Sequence, residues 1–90
     1  MSKHFISEAI RPSSVVTSEE LPLAFQWRDE TLEVKAVRNK WRSTKEDRGD
    51  VYLKRHWFEF ETADSRIATV YFDRAAKRGQ ARWWLYAIED

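Results

Sequence analysis

Ninety residues suffice for one small domain whose folding buries somewhat over ~60% of the unfolded chain's surface. Cysteine is absent, which excludes a disulfide framework, a thiolate metal site and a cysteine nucleophile. The net charge of +1 favours no polyanionic partner by itself, but residues 1–33 carry −3 and residues 34–90 carry +4.

Thirteen residues are Trp, Tyr or Phe. Each buried ring removes ~150–250 Å² from water, so a few can build a core that aliphatic side chains alone would not. No stretch approaches the ~20 apolar residues of a membrane span, and the start MSKHFISEAIRP lacks a signal-peptide run. The expectation is a soluble, cytoplasmic protein with no membrane contact.

Met1 to Ser7 reads as a flexible terminus preceding a single β domain over residues 8–90. Glu8 to Val16 is extended in character, with Pro12 confining it to an edge or bend. Thr17 to Glu20 is a polar connection that would also cap one helical turn. Leu23 to Arg28 and Thr31 to Val37 alternate, and an Asp29-Glu30 loop would pair Trp27 with Leu32, Phe25 with Val34 and Leu23 with Ala36. After Ala36 the apolar phase changes, which predicts a bulge or the end of the sheet. Ser43 to Asp50 is charged and reads as a loop.

Val51 to Thr62 and Ile67 to Phe72 read as the two strands of a hairpin around Ala63-Asp64-Ser65. A two-residue Asp64-Ser65 loop would set Thr62 against Ile67, Phe60 against Thr69 and Phe58 against Tyr71. Asp73 to Gly79 suits one or two helical turns with Asp73 as N-cap. Arg82 to Ile88 closes the sheet, with Trp84, Tyr86 and Ile88 on one face and Trp83, Leu85 and Ala87 on the other. The pattern predicts an all-β fold. Five or six antiparallel strands would curl into an open barrel or half-barrel, with an α+β domain as the rival.

Several of these segments are familiar together. Phe25-Gln26-Trp27-Arg28, Trp41-Arg42, the strand from Tyr52 to Phe60, Val70-Tyr71-Phe72-Asp73 and Arg82-Trp83-Trp84-Leu85-Tyr86 resemble a family of small bacterial domains of unknown function. Similar segments look like the C-terminal tail of the polymerase-like subunit of bacterial mutagenesis cassettes, an inactive relative of Y-family DNA polymerases. The resemblance covers most of residues 5–90 and implies no catalytic residue. It links the fold to DNA damage tolerance by association only. The family usually has Gly where Glu30 and Ser65 stand here.

Catalytic chemistry finds little support. His4 and His56 lack partners marked by spacing, and each reads as a surface or half-buried sheet residue. Ser65, Asp64 and His56 form a triad on paper only, because hairpin tips face water. Glu59 and Glu61 stand at i, i+2, roughly 6.5–7 Å apart by strand rise, and a solvated face explains them better than a paired-carboxylate site. Two glycines cannot build a phosphate loop or a dinucleotide fingerprint. The expectation is a non-enzymatic binding module with no cofactor and no metal, acting as a monomer.

The remaining signal is cations interleaved with tryptophans. Lys35, Arg38, Lys40, Trp41 and Arg42 form one set, and Lys77, Arg78, Arg82 and Trp83 a second. Such sets suit single-stranded DNA or RNA, with cations along phosphates and rings stacked on bases. The bland reading makes Trp41 and Trp83 core or lid residues with solvated neighbours. The alternative function is protein interaction, with a DNA-repair protein for example, through a free sheet edge or an exposed tryptophan.

Overall fold

In the computed structural model, residues 2–17, 21–42, 55–74 and 77–90 are described. Among them are seven strands: β1 (Lys3–Ala9), β2 (Arg11–Pro12), β3 (Ala24–Trp27), β4 (Glu30–Arg42), β5 (Arg55–Thr62), β6 (Ile67–Asp73) and β7 (Trp83–Glu89). Neighbours are antiparallel in the order β1-β7-β6-β5-β4-β3-β2. The fold is all-β, a sheet curled into a half-barrel, with no helix among the described residues. Asp73, expected to cap a helical turn, instead ends β6, and Lys77 to Gln80 form a turn in which the Gln80 N–H donates to the Lys77 carbonyl at 2.9 Å. The Ser43 to Asp50 loop and residues 51–54 lie outside the described residues.

Residues 3–7, expected to be loose, belong to β1 and pair along β7. From β1 the chain crosses to β2 through Ile10, which is 5% exposed and donates its N–H to the Trp83 carbonyl at 3.0 Å. β1 therefore lies on β7 while β2 lies on β3, and one short connection bridges the two ends of the curled sheet. Glu8 reinforces the bridge. It accepts from Trp27 Nε1 at 2.9 Å and from Arg28 Nε and Nη2 at 3.1 and 2.6 Å. The Arg28 hydrogen bond, then that of Trp27, holds the Glu8 carboxyl below its ordinary pKa.

The alternation of β3 buries Phe25 and Trp27, and β4 adds Leu32 beneath them. The β3–β4 loop is Arg28-Asp29 rather than Asp29-Glu30, with Arg28 at a positive φ of 56°. Phe25 consequently faces Leu32, not Val34. A two-residue slip of this kind keeps every side chain on its own face, so Phe25, Trp27, Leu32 and Val34 still share the core side. Leu23 does not join them and is exposed, whereas Leu21 is wholly buried.

Two bulges bend β4, the second lying where the apolar phase changes after Ala36. Val34 faces Thr62 and Ala36 faces Glu61, leaving Lys35 as an extra residue; Val37 faces Phe60 and Asn39 faces Glu59, leaving Arg38 as another. The bends carry the first half of β4, with β3, over the inner face of β5–β6–β7. Phe58, Phe60, Thr62, Ala68, Val70, Leu85 and Ile88 line that face, and Phe25 meets Phe60 at 5.9 Å between ring centres.

The β5–β6 hairpin corrects the expected register. Its loop is three residues, Ala63 to Ser65, closed by the Thr62 N–H on the Arg66 carbonyl at 2.7 Å and the Ser65 N–H on the Thr62 carbonyl at 3.0 Å. Phe60 therefore faces Ala68 and Phe58 faces Val70, while Tyr71 faces Trp57 on the opposite side. This one-residue slip exchanges the two faces of β6. In β7, Thr69 faces Ala87 and Val70 faces Leu85, so Tyr86 is a bulge residue and Ile88 joins Leu85 in the core instead of lying with Trp84.

The hairpin tip is tied down by Arg66, which bridges Asp64 at 2.9 Å and also reaches Glu30 on β4. Thr62 Oγ1 donates to Asp64 and accepts the Arg66 N–H at 2.9 Å. Hydrogen bonds from Arg66, then Thr62, hold the Asp64 carboxyl below its ordinary value of 3.8. A depressed pKa contributes stability above the unfolded value, and that contribution disappears as pH falls through the folded one. Urea melts across pH 2–5 should accordingly show wild type losing its advantage over Asp64→Asn at the acid end. Ser65 has a φ of 70°, the left-handed region where a side chain costs ~1–2 kcal/mol. Ser65→Gly should raise stability by up to ~1 kcal/mol after the entropy cost of glycine, read from the urea midpoint.

Candidate functional site

Every strand sends alternate side chains to opposite faces, so the registers above sort the aromatic residues into two groups. The inner group surrounds Trp83, whose ring lies 5.2 Å from Phe25, 5.8 Å from Phe58 and 5.0 Å from Phe72. Trp83 is half-buried and forms the floor between two shallow clefts where β5, β6 and β7 end. One, of about 270 Å³, is lined by His56, Phe58, Phe72, Arg74 and Trp83. The other, of about 590 Å³, runs past Arg11, Phe72, Gln80, Arg82 and Trp83. Arg74 Nη1 sits 3.4 Å from His56 Nε2. Among the described lining residues there is no carboxylate.

The outer group is a ladder across four strands. Trp41 and Trp57 stack at 5.9 Å with 4° between planes, Trp57 meets Tyr71 at 4.9 Å, and Tyr71 stacks on Trp84 at 6.3 Å. Tyr86 stands edge-on to Trp57 at 5.2 Å and to Phe5 at 5.5 Å. Arg55 lies over Tyr71 at 4.5 Å and Lys3 over Phe5 at 5.7 Å. At its ends the ladder is open, with Trp41 42% and Phe5 67% exposed. Burial among these rings pushes the Tyr71 hydroxyl up from its ordinary pKa.

The nine cationic and tryptophan positions singled out from the sequence are thus divided. Arg82 and Trp83 line the larger cleft, and Lys77 and Arg78 occupy the turn leading into its rim. Lys40 faces Phe58 and Arg42 faces His56 in the β4–β5 register, which sets both opposite residues of the smaller cleft. Lys35 and Arg38 are the bulge residues of β4, and Lys35 Nζ lies 3.8 Å from Glu61. Trp41 belongs to the outer ladder, so the two tryptophans lie on opposite faces.

Sequence reading missed Arg11, His56 and Arg74 as cleft residues, and Trp57, Tyr71, Trp84 and Tyr86 as one surface. The signal for the second was the hairpin loop length, which decides whether Tyr71 stands with Phe58 or with Trp57. The triad dismissed from the sequence has no geometric basis either: His56 and Ser65 stand at opposite ends of β5, about 20 Å apart by strand rise.

An all-β half-barrel with aromatic residues on both faces and cations gathered at one end is the class of domain this geometry defines. Residues 1–90 match the family described as "Domain of unknown function (DUF6504)", and the chain belongs to it. No curated protein and no solved structure matches the chain. No helix among the described residues is long and apolar enough to cross a membrane.

The different settings of the two tryptophans give a direct check. Trp83→Ala empties the centre of the inner cluster and should cost ~3–5 kcal/mol of folding stability. Trp41→Ala removes one outer stacking partner and a partly exposed ring, and should cost about 1–2 kcal/mol. Urea denaturation of the two variants, followed by far-ultraviolet circular dichroism, measures both.

Proposed function

We propose that this domain is a non-enzymatic, monomeric and cytoplasmic binding module for single-stranded nucleic acid, held at the clefts around Trp83. The reading rests on one observation: Arg11, His56, Arg74 and Arg82 surround Phe72 and Trp83 with no acid among the described lining residues. Phosphates are attracted to such a rim, and each one neutralised releases counterions. The half-buried Trp83 and Phe72 offer ring surface to a base, a contact worth ~1–3 kcal/mol and tolerant of sequence. Lys40 extends the basic rim along β4, where Arg42 stands opposite His56 in the register, and Lys77 and Arg78 extend it along the turn before β7. The clefts are shallow, which suits a flexible strand laid across them better than an enclosed small molecule. The likeness of the aromatic segments to the tail of the inactive Y-family polymerase-like subunit suggests the setting, bacterial DNA damage tolerance.

Fluorescence anisotropy with labelled oligothymidylate and a mixed-sequence RNA tests the proposal. Arg74→Ala with Arg82→Ala should weaken binding to both probes. It should also reduce the slope of log affinity against log salt by ~1.4, two contacts at ~0.7 each for single strands. Trp41→Ala, altered on the far face, should leave both quantities unchanged. Absence of binding by wild type, or a double variant with an unaltered salt slope, refutes the reading.

A further inference from the structure

The larger cleft is built across a seam between two walls of the half-barrel. Arg11 comes from β2, which pairs with β3, whereas Arg82 and Trp83 stand where β7 begins. β2 and β7 are not neighbours in the sheet, so strand pairing does not fix the distance between the two cations. Arg11 faces Gln26 and Pro12 faces Phe25, so Arg11 moves with the β3 wall.

The contacts that cross the seam differ in what they can hold. The Ile10 N–H donates to the Trp83 carbonyl at 3.0 Å, and the Phe25 and Trp83 rings lie 5.2 Å apart. A lone hydrogen bond acts as a hinge, and apolar burial is non-directional. Glu8, on β1 and hence on the β7 wall, adds direction. Its carboxylate accepts from Trp27 Nε1 at 2.9 Å and from Arg28 Nε and Nη2 at 3.1 and 2.6 Å, at the far end of β3. Charge-assisted, two-pronged bonds of this kind fix orientation as well as separation. The backbone is irregular at this point: the β1–β7 register breaks between Phe5 and Glu8, and Ser7 has a φ of 55°. A strained residue persists where its surroundings over-determine it, and such residues gather at binding sites.

We infer that Glu8 is a positioning residue for nucleic acid, closing the seam so that Arg11 and Arg82 act on the same strand. The inference rests on the cleft reading given above. Charge alone makes the opposite forecast. Removal of an acid near a cationic rim should strengthen phosphate binding, whereas loosening the seam withdraws Arg11 and weakens it.

Salt-dependent anisotropy titrations of the intact domain with labelled oligothymidylate separate these forecasts, with the folding of each variant checked by circular dichroism. Arg11→Ala should lower the slope of log affinity against log salt by ~0.7, one contact on a single strand. Glu8→Ala should weaken binding and lower the slope by the same ~0.7, although it removes no cation. The double variant should match either single one instead of summing to ~1.4, because both changes remove one contact. Trp27→Phe keeps a buried ring but takes one N–H from Glu8, so it should move both quantities part of the way, and it provides the test if Glu8→Ala folds poorly. In the free protein, the Ile10 amide should exchange faster in Glu8→Ala while those of Phe58 and Phe60 do not. Tighter binding by Glu8→Ala, an unchanged slope, or additive losses with Arg11→Ala would overturn the inference and leave the cleft reading standing. Absence of oligothymidylate binding by wild type would remove both.

Discussion

Side chains of a β-strand alternate between two faces, and almost everything about this domain follows from where that alternation is kept or broken. Six strands, β1 and β3 to β7, carry large rings, and both faces of the sheet collect them. One set is covered when β4 bends and lays Phe25 on Phe60 and Trp83. The other set stays outside as a ladder from Trp41 to Trp84. A one-residue change of register at a loop, or a bulge paired out into regular alternation, transfers a ring from one set to the other.

The bulges and the third loop residue therefore decide which rings each face presents. If Arg38 were paired in regular alternation instead of bulged, Trp41 would share the face of Val37 and point inward. If Tyr86 were not bulged, Ile88 would lie beside Trp84 and the core would lose it. The charged side chains at Lys35 and Arg38 accept these irregular positions readily, because they remain in water whichever way the backbone turns. Natural edge strands use the same devices to avoid pairing with other chains.

Segregation of charge follows from the same geometry. The chain brings Arg11 from β2, Arg74 from the end of β6 and Arg82 from the start of β7 to one end of the curled sheet. They are distant in sequence, and only the antiparallel order places them together. The acids of β5, Glu59 and Glu61, alternate with Phe58 and Phe60 and so go to the opposite face. A nearly neutral chain thereby acquires a cationic cleft on one side and an aromatic, acid-bearing surface on the other.

Local sequence was sufficient for the strands and their apolar faces. Phe25, Trp27, Leu32, Phe58 and Phe60 declare themselves by alternation and are all buried, and of the bulge or sheet end implied by the phase change after Ala36 the structure has the bulge. Slips of two residues, as at the Arg28-Asp29 loop, did no harm to that reading because they conserve the face. What local sequence did not determine was the single-residue offset. Ala63-Asp64-Ser65 closes as a two- or a three-residue loop according to whether Ser65 enters the left-handed region and Arg66 reaches Glu30, a residue 36 positions away. That distant contact stabilises the longer loop, and with it the face on which Tyr71 stands. The fold class was thus set by short-range pattern, whereas the membership of each surface depended on long-range packing, which alternation within one strand does not encode.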